Sequence, residues 1–318
     1  MPTSRRKFLQ KAIIMPAVIG GTFSPGQPAR FPIPQDRDRL VLLGTQGGPF
    51  IRSYKQIPSG NLIVYKGTSF VIDSGYGTTF KLLEAKVALT SVRFIFITHL
   101  HSDHYLDLGP LLYNAWIAGL KDMIHVYGPN GIKAILTSFW ESNRFDIETR
   151  IKDEGRPDIR TLITTHEILE ETLLTTPDFE ISCIKNIHPP IVESFAFKFK
   201  LGEKSIVFSG DTAYCPALET FAFEAEILVH EVMYEPAVNN IINRRPNAAK
   251  LVASIKSHHT STEGVGKIAK AAKPKNLVLN HFVPPDDTSI TEAMWMEDIK
   301  KYFSGNVIVG KDMLELEI

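Results

Sequence analysis

The apolar run Phe94-Ile95-Phe96-Ile97-Thr98 leads directly into His99-Leu100-His101-Ser102-Asp103-His104, so four metal-ligating side chains fall within six residues at the tip of a β-like segment. Nothing else in the chain constrains the fold as strongly. Imidazole and carboxylate together suit borderline cations such as zinc, at bond lengths near ~2.0–2.2 Å. One tetrahedral ion cannot easily take all four donors from so tight a loop, which suggests two ions side by side. His99 and His101 would face one, Asp103 and His104 the other, and residues distant in sequence must complete each shell.

The remaining donors are expected at other strand ends. His188 follows a predicted strand, Phe179 to Ile187, that Pro189-Pro190 terminate. Asp211 sits in Ser209-Gly210-Asp211-Thr212 after Ile206-Val207-Phe208, and Gly210 allows a sharp turn there. His281 closes the run Leu277-Val278-Leu279-Asn280. Each alone is a weak signal, because a single His or Asp at a strand end is more often a turn residue. Their occurrence together is not accidental.

From Arg39 onward, short β-rich runs alternate with amphipathic helical patterns and no long linker interrupts them, which predicts one α/β domain over residues 31–318. Helices are expected over Thr79 to Lys86, Pro110 to Ala118, Gly131 to Glu141, Thr262 to Ala272 and Thr291 to Phe303. Thr260-Ser261-Thr262-Glu263 has capping-box spacing, with Thr260 as the cap. The charged, turn-rich stretch 142–177 reads as an inserted loop or lid. The aromatic residues Tyr113, Trp116, Phe139, Trp140 and Phe145 could roof the site or belong to the core.

Composition narrows the function. The 318 residues carry 35 Lys+Arg against 35 Asp+Glu, so no bulk charge draws the chain to a polyanion. With 44% hydrophobic and 22% charged residues, disordered, collagen-like and coiled-coil readings are excluded. Two cysteines, Cys183 and Cys215, rule out a disulfide framework and an all-cysteine metal site. Residues 1–30, with Ser4-Arg5-Arg6-Lys7-Phe8-Leu9 and an apolar run from Ala12 to Gly21, resemble a twin-arginine export signal. That resemblance implies passage through the twin-arginine machinery and a periplasmic or otherwise exported protein.

The order His-x-His-x-Asp-His, His188, Ser-Gly-Asp-Thr and Asn-His-Phe is similar to that of the metallo-β-lactamase superfamily, over about Arg39 to Ile318. The resemblance implies a four-layer αβ/βα sandwich with a dinuclear metal site between the sheets. By position, His99, His101 and His188 would hold the first Zn2+, Asp103, His104 and His281 the second, and Asp211 would bridge them, with Mn2+ or Fe2+ also compatible. Asp73 matches an aspartate that orients a ligand imidazole.

Further residues, Leu42-Leu43-Gly44-Thr45, His230-Glu231 and Ser257-His258-His259-Thr260-Ser261, look like the ribonuclease Z and arylsulfatase-like branch. There His258, by its His-x-Thr spacing, would pair with Glu231 as the general acid, and Asp103 could accept a proton from the attacking water. The expected reaction is hydrolysis of a small sulfate ester or phosphodiester by a metal-bound hydroxide. A ribonuclease Z-like endonuclease that processes tRNA 3′ ends and a lactone or thioester hydrolase are the alternatives. Against tRNA stands the stretch 189–210, too short for the basic arm by which ribonuclease Z grips its substrate. A nucleic-acid partner is therefore not expected; a small-molecule ester is, and a homodimer is allowed.

Overall fold

The computed structural model describes residues 37–169, 171–240 and 248–318. The predicted export segment, residues 1–30, lies outside them. The first half runs β1 (Arg39–Gly44), β2 (Gly60–Tyr65), β3 (Thr68–Ser74), α1 (Thr78–Glu84), β4 (Val92–Phe96), α2 (Ser102–Tyr105), α3 (Leu108–Ile117), β5 (Ile124–Gly128), α4 (Ile132–Ser142), α5 (Arg144–Glu154) and β6 (Ile163–Glu167). The second runs β7 (Thr172–Thr175), β8 (Phe179–Lys185), β9 (Phe195–Leu201), β10 (Lys204–Phe208), α6 (Ala217–Phe221), β11 (Ile227–Met233) and α7 (Glu235–Asn239). It continues through α8 (Ala248–His258), α9 (Thr262–Ala272), β12 (Asn276–Val283), α10 (Glu292–Lys300), β13 (Asn306–Val309) and β14 (Leu314–Glu317).

The strands form two seven-stranded sheets, in the orders β14-β1-β2-β3-β4-β5-β6 and β13-β12-β11-β10-β9-β8-β7. In each half the earlier strands pair antiparallel, as in β1-β2-β3 and β7-β8-β9-β10. The later ones pair parallel, as in β3-β4-β5-β6 and β10-β11-β12-β13. Period-two patterning fixes which side of each strand is buried. In β9, Phe195, Phe197, Phe199 and Leu201 point between the sheets and meet Phe70, Phe96 and Ile72 of the first sheet. Ring centroids of Phe96 lie 5.6 Å from Phe197 and 5.2 Å from Phe199, edge-on in both cases. Each such ring contributes about 1.5–3 kcal/mol through burial.

Helices α1, α3 and α4 cover the outer face of the first sheet through Leu82, Leu111, Leu112 and Leu136. Helices α6, α9 and α10 cover the second through Leu218, Val265, Ile268 and Ile299. The result is the four-layer αβ/βα sandwich that the sequence resemblance implies. Among the described residues, no helix is long and apolar enough to cross a membrane.

Three expectations need correction. The stretch 142–177 is not irregular: it supplies α5 and then β6 and β7, which form the edges of the two sheets. Its charges misled because α5 is a largely solvated helix, with Arg150 paired to Glu154 one turn on. The cap of α9 is Ser261, whose side chain accepts from Gly264 N, whereas the hydroxyl of Thr260 donates to Thr212 O at 2.6 Å. The aromatic residues take no part in lining the cleft beside the metal-site donors. Trp116 packs with Ile147 and Ile159 in its own cluster, and Phe139 lies against Gly109. Cys183 and Cys215 belong to different cores, one between the sheets and one under the outer helices.

Candidate metal centre

The ends of β3, β4, β10, β11 and β12 converge on one side of the sandwich, as ligand sites do in sheets with parallel strands. Asp73, near the end of β3, adopts φ 61° and His281, within β12, φ 43°. Non-glycine residues at positive φ cost energy, and such strain gathers at functional sites. Gly210, just after β10, has φ +59°, and a Cβ there would lie 2.6 Å from Phe195 O, so only glycine lets the chain turn here and present Asp211.

Three groups of donors result, and two of them hold the sequence-selected ligands. In the first, His99 Nε2 lies 3.0 Å from His101 Nδ1, which lies 3.0 Å from His188 Nε2. In the second, Asp211 Oδ2 lies 3.3 Å from His104 Nε2 and 3.2 Å from His281 Nε2, while Asp103 Oδ2 lies 3.6 Å and 3.4 Å from the same two nitrogens. Asp211 belongs to both groups, with its Oδ2 also 3.9 Å from His99 Nε2. The donors within each group lie within 4.8 Å of one another. The structure therefore brings all seven sequence-selected donors together.

A divalent cation fits this arrangement. Donors about ~2.0–2.1 Å from a tetrahedral ion sit roughly 3.3 Å apart, close to the spacings above. The buried Nε2 of His104 has no hydrogen-bond partner, the kind of orphan that a metal satisfies. The far sides of the rings are anchored. His104 Nδ1 donates to Asp73 Oδ2 at 2.8 Å, and Asp73 Oδ1 also accepts from Thr98 N at 2.8 Å. His188 Nδ1 donates to His258 O at 3.0 Å, leaving Nε2 to face the cluster. Such contacts select the tautomer and raise the basicity of the inward nitrogen.

The electrostatics are those of a charged site removed from water. Burial opposes a proton on His104, but Asp211, Asp73 and Asp103 outweigh it and hold its pKa well above 6.5. Burial also opposes the charge of Asp211, yet His281 and His104 hold that carboxyl well below its ordinary range. His188, with few compensating charges, is pushed by burial down to about 4.

Beside the clusters, Glu231 does not pair with His258 as expected. Its Oε2 lies 3.2 Å from His259 Nδ1, within hydrogen-bond distance, and its Oε1 accepts from Thr260 N at 2.8 Å and Thr212 N at 3.2 Å. The reason is the end of α8: His258 is its last residue and gives its carbonyl to His188, so the next residue turns inward to Glu231. Spacing to Thr260 points to His258, whereas the ring that meets Glu231 is that of His259. Burial, then the nearby Asp211, raises Glu231 well above its ordinary pKa, and burial pushes His259 down to about 4. Both directions disfavour separated charges in this pair. The clusters open into a cleft of about 680 Å³ that His258 and His259 line together with Phe50 and Arg52. No sequence signal marks the last two beyond the Gly47-Gly48-Pro49 turn of their loop.

This fold and donor set define a metallo-β-lactamase-fold, metal-dependent hydrolase. A metallo-β-lactamase fold protein from Bacillus subtilis superposes with TM-score 0.65 at 22% identity, over 89% of this chain and 100% of that one. Human tRNase Z, short form, does so with TM-score 0.62 at 19% identity, over 88% and 99%. In sequence, ribonuclease Z of Mycobacterium sp. (strain KMS) is 28% identical over 281 residues, 88% of this chain and 95% of the relative. Residues 39–244 match the family described as Anti-Pycsar protein Apyc1, and the chain belongs to that family. The expectation that nucleic acid is not a partner is corrected by the sequence relatives: proteins 28% identical over 88% of the chain are ribonucleases by name. Zero net charge misled because it averages over the whole surface and says nothing of one cleft.

Proposed function

We propose that the chain hydrolyses phosphodiester bonds in RNA with two divalent metal ions, zinc being the best match to the donors. The observation that carries this reading is the pair of His/Asp clusters sharing Asp211 with a Glu231–His259 pair at their side. The ribonuclease Z relatives support RNA over the sulfate ester, which has no support among them. His99, His101, His188 and Asp211 would hold one ion, and Asp103, His104, His281 and Asp211 the other. When bound, such ions polarise a phosphoryl oxygen and lower the pKa of water. Asp73 keeps His104 pointed at its ion, and the carbonyl of His258 does the same for His188. The Glu231 carboxyl, held protonated by its raised pKa, passes its proton to His259 Nδ1 as the opposite ring nitrogen gives its own to the departing oxygen, so the pair removes the cost of expelling an alkoxide.

The hairpin of β9 and β10 fills the stretch 189–210, turning at Gly202, so the substrate is gripped at the cleft itself rather than by an arm inserted there. The test compares zinc-loaded full-length protein on an unstructured RNA, a precursor tRNA and an aryl sulfate of matched leaving group. Cleavage of RNA, abolished by chelator and restored by zinc, is the expected result. Turnover of the sulfate with both RNAs left intact would overturn it.

A further inference from the structure

We propose that Phe50 and Arg52 clamp the nucleotide beside the scissile bond, Phe50 stacking on its unpaired base and Arg52 pairing with its phosphate. The proposal rests on the phosphodiesterase reading and specifies the form of substrate that the cleft accepts. The loop between β1 and β2 is tied to the metal-site side of the molecule. Gln46, fully buried, donates through Nε2 to Gly48 O at 3.0 Å and to Phe50 O at 3.1 Å. Gly47 N donates to Phe282 O at 3.2 Å, next to His281. A Cβ on Gly47 would fall 2.6 Å from that same oxygen, so the approach requires glycine. A buried amide thus holds the backbone of a residue whose ring is left in water.

Phe50 is 72% exposed and lines the cleft with His101, His259 and His281. An exposed phenylalanine on a well-anchored loop at the mouth of a reactive site is a stacking platform, because every base has an apolar face. The Arg52 guanidinium lies 5.9 Å from the ring centroid. Among the described residues, no carboxylate forms an ion pair with it. A flat apolar ring and, over it, a cation with no carboxylate partner match the alternation of base and phosphate in a single strand. Asp286 lines the same cleft, and its charge opposes a long polyanion there. A volume of about 680 Å³ lies in the range of small-ligand sites, which favours one or two unpaired nucleotides over a duplex.

The test uses zinc-loaded full-length protein and a ribodinucleotide carrying 2-aminopurine, whose fluorescence falls on stacking. The initial quench on mixing reports binding whether or not turnover follows. Phe50→Leu is expected to weaken binding by about 5- to 100-fold, with Phe50→Tyr restoring most of it. Arg52→Gln is expected to weaken binding and to reduce its salt dependence by roughly one released counterion. In turnover, Phe50→Leu should lower kcat/KM for the dinucleotide relative to that for methyl p-nitrophenyl phosphate, which has no base. No quench with the wild type, or equal binding by Phe50→Leu, overturns the clamp. Failure of the wild type to cleave any phosphodiester, with quenching intact, overturns the phosphodiesterase reading instead.

Discussion

Glu231 reaches His259 and not His258, and this single contact separates two neighbouring imidazoles chemically. His259→Ala should lower kcat on a substrate with an alkoxide leaving group by about 10²–10⁴, and far less on one that releases nitrophenolate, which needs no proton. His258→Ala keeps the carbonyl that holds His188 and should cost less than about tenfold by the same criterion. Equal losses in the two variants on both leaving groups would remove His259 from the proton-donor role. The seven donors were legible as a set because four follow one apolar run within six residues and the other three stand at or just after further apolar runs. The choice between the two histidines was not, since both have a hydroxyl residue within reach and only the end of α8 decides which ring turns inward.

At the scale of elements, the turn after β10 illustrates how a strand end is made into a site. Gly210→Ala places a methyl against the backbone oxygen of Phe195, which cannot move without breaking β9. The expected loss is about 1–3 kcal/mol of stability in chemical denaturation, together with weaker zinc binding through Asp211. Denaturation and zinc titration matching the wild type would show that the turn tolerates a side chain. Alternating patterns made the inward strands readable, β9 most clearly. Helix α5 and the edge strands β6 and β7 were not legible, because their polarity reflects exposure at the rim and resembles that of a loop. The cap of α9 shifted by one residue for a tertiary reason: Thr260 is taken up by Thr212 O, which leaves Ser261 to cap.

At the scale of the whole molecule, a buried neutral histidine makes stability depend on pH. His230, enclosed in β11, donates from Nδ1 to Glu231 O at 2.7 Å, and burial lowers its pKa from 6.5 to about 4. The unfolded chain takes up this proton below about pH 6.5 while the folded chain does not, so stability is full above that pH and falls as pH drops toward 4. For this residue the loss is roughly 3 kcal/mol, from about 1.4 kcal/mol per pKa unit. Denaturation of metal-free protein at pH 7, 5 and 4 should show a shallower pH dependence in His230→Phe than in the wild type; parallel profiles would refute the assignment. By itself the sequence determined the donor types, their places at strand ends and the sandwich that brings those ends together, because periodic burial and ligand spacing are local properties of the chain. Only the tertiary structure decided that His259 meets Glu231, that the aromatic cluster around Trp116 is core and that Phe50 and Arg52 stand at the cleft. These depend on which segments distant in sequence exclude water from one another, and no local pattern encodes that.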